Sequence, residues 1–181
     1  EFKSTVLEYM HIVEEVGHVL IKGLSLSLGL TPNYVHQNYT SDPLLLFRIF
    51  HYPPQRNNNT TLTNWGVGEH TDYGLLTILK QDHIGGLQVK SNNKWIDAPP
   101  IPNTFICNIG DMLERLTKGM YRSTPHRVLN KTGKSRFSFP LFFDPNFDSN
   151  VCPLPIEHTP SNHQLDRWDK GDVHTISGTY G

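Results

Sequence analysis

Five residues in three short pieces of this 181-residue chain could do chemistry together. His70 and Asp72 stand in GEHTDYG (68–74), His126 in STPHRV (123–128), and Arg136 and Ser138 in RFSFP (136–140). Two imidazoles and one carboxylate are the donor set of a facial iron(II) site, which leaves coordination positions open. An arginine and a serine two residues apart on a strand share one face. Such a pair suits a free carboxylate, because the planar guanidinium makes two parallel charge-assisted bonds to it. The combination points to oxygen activation at non-haem iron, with an oxo acid as cosubstrate. A lone His-x-Asp would be weak in a chain with 10 histidines, so the weight rests on the set as a whole.

These residues need particular elements to position them. Residues i and i+2 of a strand point the same way, so a strand through 70–72 lets His70 and Asp72 reach one metal. The apolar, β-rich run Leu75–Leu79 reads as the next buried strand, and the glycines of WGVG (65–68) as turn formers. His126 opens a strand that must fold back beside the first. Further strands are predicted at 44–50, 65–70, 74–80, 86–90, 94–97, 104–109, 125–130 and 136–143, with turns at Gly85-Gly86 and Asn92-Asn93. Residues 3–28 carry Val6, Leu7, Met10, Val13, Val16, Leu20 and Leu24 at helical spacing, stopped by Gly29 and Pro32. A short helix is expected at 112–118, with Asp111 as its N-cap and Glu114 completing a capping box; Asn108 and Gly110 would shape the turn before it. Asn57–Thr61 and 144–162 read as loops, and Asn162 as the cap of a last short helix through Trp168. Many short strands after one helix suggest a sandwich or barrel, and a double-stranded jelly roll would bring positions 70, 72 and 126 together.

A net charge of -1 argues against nucleic acid or an anionic membrane surface as partner. No apolar run reaches the ~18–20 residues of a membrane span, and neither a signal peptide nor a lipidation signal is read. Two cysteines make no disulfide framework; Cys107, inside an apolar run, is expected to be a buried small hydrophobe, and a reducing, cytoplasmic compartment is the default. No linker or repeat divides the chain, so residues 1–181 are expected to form one domain.

The pieces HYPP (51–54), GEHTDYGLLTIL (68–79), GGLQV (85–89), NIGDMLERLT (108–117), STPHRV (123–128) and RFSFPLFFDP (136–145) follow in this order. In order and spacing the chain resembles the iron(II)/2-oxoglutarate-dependent oxygenases, in their isopenicillin-N-synthase-like branch, over about residues 44–145. The resemblance implies a mainly β fold: a double-stranded β-helix core behind a long N-terminal helix. It implies that His70, Asp72 and His126 bind Fe(II), and that Arg136 and Ser138 hold the distal carboxylate of 2-oxoglutarate. Tyr52 would hydrogen-bond the cosubstrate. O2 and a small-molecule substrate complete the reaction. Phe50 departs from the family pattern, where many plant members carry asparagine. The N-terminal region and C-terminal helix usual in the family are expected to be missing. Two other readings share the residues. One is an oxidase of the same branch that does not use 2-oxoglutarate, of the isopenicillin N synthase or aminocyclopropane-carboxylate oxidase type, with the Arg-x-Ser pair on the substrate's own carboxylate. The other is a catalytically silent metal-binding jelly-roll module. Phe137 is expected in packing, Phe142 and Phe143 in the core with a pocket-facing place for one of them as the alternative, and Leu62, Trp65 and Tyr73 near the substrate. No feature of the chain specifies an oligomeric state.

Overall fold

A computed structural model describes residues 1–54, 65–130, 132–157 and 167–181. The loop Asn57–Thr61, Leu62 and most of the helix expected from Asn162 lie outside these residues, as does the Trp65 side chain.

Helix α1 (Phe2–Ser27) buries Val13, Gly17, Ile21 and Ser25, a single stripe at four-residue spacing. Gly17 stands in that stripe because the Phe143 ring lies where its side chain would be. The helix ends as Gly29 predicts. Gly29 has φ +73°, and the Gly29 and Leu30 amides donate to the carbonyls of Leu26 (3.0 Å) and Ser25 (2.9 Å). That is the double closure of a Schellman motif, which a residue without Cβ adopts at least cost. Gly23 is different: it is exposed, and open space surrounds the position of a Cβ. Gly23→Ala is therefore expected to stabilise the protein by about 0.5–1 kcal/mol, raising the thermal midpoint by roughly 1–4 °C at this chain length. A melting curve followed by circular dichroism checks it, and a lowered midpoint contradicts it.

After helix α2 (Tyr34–Tyr39), the described residues form nine strands: β1 (Leu44–Phe47), β2 (Phe50–Tyr52), β3 (Trp65–His70), β4 (Leu76–Gln81), β5 (Leu87–Ser91), β6 (Lys94–Asp97), β7 (Ile106–Ile109), β8 (His126–Leu129) and β9 (Arg136–Asp144), with helix α3 (Asp111–Leu116) between β7 and β8. All pairings are antiparallel. One sheet runs β1-β9-β4-β7 with β2 also on β9, and the other runs β3-β8-β5-β6. The mainly β jelly roll expected from the sequence is the observed fold. β5 and β6 are joined by Asn92-Asn93, both at positive φ (48° and 59°), as a tight two-residue hairpin requires.

The strand expected at 44–50 is in fact two. Leu46 pairs with Phe142 and Phe50 with Ser138 in one unbroken register along β9, and the gap falls opposite Pro140. Proline has no N–H to offer the ladder; only the reverse bond survives, from the Arg48 amide to the Pro140 carbonyl (3.0 Å).

Alternation along β9 separates two environments. Leu141 and Phe143 face outward under α1, in a core with Val13, Ile21, Ile78, Met112 and Leu116. Arg136, Ser138, Pro140 and Phe142 face the opposite way, into a cavity. The second, smaller apolar cluster, Leu79, Leu87 and Val128, also borders that cavity. Most of the hydrophobic stabilisation therefore lies outside the first sheet, which leaves room for chemistry inside. Cys107 is exposed rather than buried, because β7 is the margin of its sheet. Cys152 is likewise free and exposed. Among the described residues no helix is long and apolar enough to cross a membrane.

Candidate functional site

His70 ends β3 and His126 begins β8, and the two are cross-strand partners. Their rings lie 4.2 Å apart, centroid to centroid. The Nδ1 atom of each faces a backbone carbonyl two residues earlier, Gly68 at 2.8 Å and Thr124 at 3.0 Å. These bonds place the ring proton on Nδ1 and leave the Nε2 lone pairs free, the usual way a ligating histidine is oriented. Asp72 Oδ1 lies 3.8 Å from His70 Nε2 and 3.6 Å from His126 Nε2. One ligand atom from each of the three falls within 4.8 Å of the others, the only such group of three or more among the described residues.

The reason for this convergence differs from the one the sequence suggested. β3 stops at His70, so Asp72 is in a turn and not on the same strand. Its position is fixed from outside. Oδ2 accepts from the Thr77 hydroxyl of β4 (2.7 Å), and the Asp72 carbonyl accepts from the Asp111 amide (2.8 Å). Burial lowers the pKa of His126, partly offset by Asp72, and so favours the neutral imidazole that a metal requires. In the form that binds a metal, two neutral imidazoles and one carboxylate would carry one net negative charge, which a divalent cation would offset. The residues present therefore fit an iron(II) ion.

Arg136 is 0% exposed, the largest fully buried side chain among the described residues. Tyr52 of β2 is its cross-strand partner, and the guanidinium carbon lies 4.9 Å from the centre of the Tyr52 ring. Nη2 donates to Gln81 Oε1 at 3.0 Å. Nε and Nη1 are buried with no partner among the described residues. Burial lowers the Arg136 pKa while Tyr52 and Asp82 raise it; an arginine there still keeps its charge. Burial raises the Tyr52 phenol. Ser138 is buried on the same face of β9, whereas Phe137 points away, exposed and stacked on His51.

One cavity of about 410 Å³ joins the two ends, with His70, Asp72 and His126 in its lining along with Tyr52, Arg136 and Ser138. All six candidate residues thus meet in one space. Phe50, Tyr73 and Phe142 line it too, while Phe143 is fully buried in the core.

Other residues of the site escaped the sequence reading. Thr77 and Gln81 are polar positions on the cavity face of an otherwise apolar β4, and that contrast was the available signal. Asn108 is not a turn former; it is buried on β7 opposite Thr77 and lines the cavity. Asp111 does not cap α3, whose N-cap is Gly110 with no side-chain bond. The turn after His70 does that work: the amides of Asp111 and Met112 donate to the carbonyls of Asp72 (2.8 Å) and Tyr73 (3.0 Å).

The model of the 2OG-Fe(II) oxygenase superfamily matches residues 37–145. A probable iron/ascorbate oxidoreductase of Dictyostelium discoideum is 50% identical, over 99% of this chain and 54% of its own length. A 1-aminocyclopropane-1-carboxylate oxidase of Dictyostelium mucoroides is 41% identical, over 99% of this chain and 57% of its own. Among solved structures, a full-length Neurospora crassa protein in complex with alpha-KG and thymine superposes with a TM-score of 0.82 at 32% identity, covering 87% of this chain and 50% of that one. The chain spans about half the length of these relatives.

Proposed function

Because the chain belongs to the 2OG-Fe(II) oxygenase superfamily, we propose that His70, Asp72 and His126 hold iron(II) and that Arg136, Ser138 and Tyr52 hold 2-oxoglutarate. The site then couples oxidative decarboxylation of the oxo acid to hydroxylation, or another oxidation, of a small organic substrate. Residues 1–181 act as one catalytic domain in this reading. The observation that carries it is Arg136, a fully buried guanidinium whose Nε and Nη1 have no partner among the described residues, opening on the cavity that holds the triad. A buried cation with no bonded carboxylate among the described residues is costly, and a cosubstrate carboxylate supplies what is missing.

Bound iron would supply the activation of oxygen. The protein's part is orientation and exclusion. The backbone bonds to His70 and His126 hold each Nε2 toward Asp72. Thr77 occupies Asp72 Oδ2 and leaves Oδ1 for the metal. Gln81 is itself anchored by donating to the Ala98 carbonyl (3.1 Å), and so turns its oxygen to Arg136 and fixes the fork. Leu79, Leu87 and Val128 keep that end apolar, which strengthens each charged contact inside it.

The 41% identity to an aminocyclopropane-carboxylate oxidase favours a second reading, in which Arg136 and Ser138 grip the substrate's own carboxylate. The test is anaerobic addition of 2-oxoglutarate to the iron(II)-loaded chain, followed by admission of air. A weak visible charge-transfer band and then succinate support the first reading. Bound iron with neither band nor succinate supports the second, and failure to bind iron refutes both.

A further inference from the structure

Arg167 lies far from the triad in sequence, in a stretch with no motif, yet one guanidinium ties together the backs of both ligand-bearing segments. Nη2 donates to the Thr71 hydroxyl (3.0 Å), between the two first ligands, and to Asp111 Oδ2 (2.7 Å). Nη1 donates to the Ser123 hydroxyl (3.1 Å), three residues before His126, and reaches Glu114 Oε2 at 3.4 Å. Nε donates to Asp169 Oδ1 (2.7 Å), which also accepts from the Gly171 amide (3.0 Å). The Arg167 side chain is only 7% exposed.

The acceptors are bonded to one another and to the ligand segments. Thr71 donates to Asp111 Oδ2 (3.2 Å), and the amide of Asp111 holds the Asp72 carbonyl (2.8 Å). Glu114 Oε2 accepts from both the amide and the hydroxyl of Ser123, at 2.8 Å each. α3 thus carries two acidic anchors, Asp111 toward the His70–Asp72 turn and Glu114 toward the His126 strand, and Arg167 joins them. Without the cation, the buried Glu114 and the partly buried Asp111 lose the counterion they share, and the two ligand segments lose the tie that spans them behind the β ladder.

Resting on the metal-centre reading above, we infer that Arg167 is a positioning residue for the metal site. It sets the separation of the His70–Asp72 turn from the start of β8, and so the shape offered to the ion. It touches neither metal nor cosubstrate. A planar fork with five N–H groups serves these acceptors; an ammonium keeps the charge but cannot span them.

The test uses Co(II) as a visible probe, titrated into the metal-free chain without oxygen, alongside thermal melting of the metal-free protein. Three chains are compared with wild type: Arg167→Lys, Thr71→Val and His126→Ala. Thr71→Val cuts one arm of the clamp and leaves every charge paired, so it carries the test if Arg167→Lys does not fold. The expected result is a Co(II) dissociation constant raised by about 10–100-fold, the usual effect of losing a partner that orients ligands, with a shifted visible band. A lowered melting midpoint with unchanged Co(II) affinity and band would reduce Arg167 to a structural tie and overturn the inference. Wild-type chain that ignores Co(II), or His126→Ala that binds it equally well, overturns the metal-centre reading itself and this inference with it.

Discussion

Arg136→Met is expected to weaken 2-oxoglutarate binding by two to four powers of ten, while the protein without cosubstrate stays nearly as stable as wild type. The first half follows from two nitrogens, Nε and Nη1, with no partner among the described residues. Each would make a charge-assisted bond to the distal carboxylate, worth about 1.5–3 kcal/mol, so roughly 3–6 kcal/mol is lost with the guanidinium. The second half follows from what Arg136 lacks. It donates to Gln81, a neutral amide, and among the described residues no carboxylate accepts from it. Methionine relieves the burial of a cation that Tyr52 and Asp82 compensate only in part, which is favourable, and leaves Gln81 Oε1 unpaired, which costs about 1–3 kcal/mol. The two nearly cancel. An arginine placed for structure behaves oppositely, since breaking a buried ion pair costs about 3–5 kcal/mol. Calorimetric titration of the Mn(II)-loaded chain with 2-oxoglutarate, beside melting curves of the metal-free chain, separates the two. Unchanged affinity with a large fall in melting midpoint would make Arg136 a scaffold residue and remove the main support for the cosubstrate site.

The same contrast shows what the sequence could and could not disclose. His70, Asp72, His126, Arg136, Ser138 and Tyr52 were legible because their types and order survive as text, and the strands that bring them together have strong apolar alternation. The physical reason for the His70–Asp72 pairing was not legible. Strand periodicity suggested one cause, and the actual cause is a turn clamped by Thr77 and the start of α3. Asp111 and Glu114 have the spacing of a capping box, but the backbone of the 72–74 turn already occupies the first amides of α3, and both carboxylates serve Arg167 and its neighbours. Such partnerships span 53 and 56 residues and depend on tertiary placement, so no local pattern announces them. Pro140 was visible as a residue, yet its effect on a strand some ninety positions earlier needed the register. Cys107 shows the converse error: an apolar run implies a strand, but it does not say whether that strand is central or marginal.

The joint between the metal turn and α3 is also a place where a single methyl group should do heavy damage. Gly110 has an extended backbone (φ -96°, ψ 172°) that alanine adopts freely, so conformational strain is not at issue. Space is. A Cβ there would run into the carbonyl of Gly74 and come within 3.1 Å of the carbonyl of Asp72. Neither is the movable end of a side chain; both belong to the backbone that closes α3. Making room means parting the bonds from Gly110 to Leu75 (3.0 Å), Asp111 to Asp72 (2.8 Å) and Met112 to Tyr73 (3.0 Å), or bending the turn that carries Asp72. Overpacking of a buried joint costs typically about 1–3 kcal/mol, and with rigid neighbours on both sides the upper end applies. Gly110→Ala should then lower the melting midpoint by roughly 6–12 °C at this length, against the rise expected for Gly23→Ala, where the added methyl meets nothing. Because the crowded turn also carries Asp72, a candidate ligand whose carbonyl lies 3.1 Å from the added Cβ, metal affinity should fall in the same variant. A melting midpoint equal to wild type would show that the turn and α3 move apart freely, and the rigid placement of Asp72 argued from their bonds would not stand.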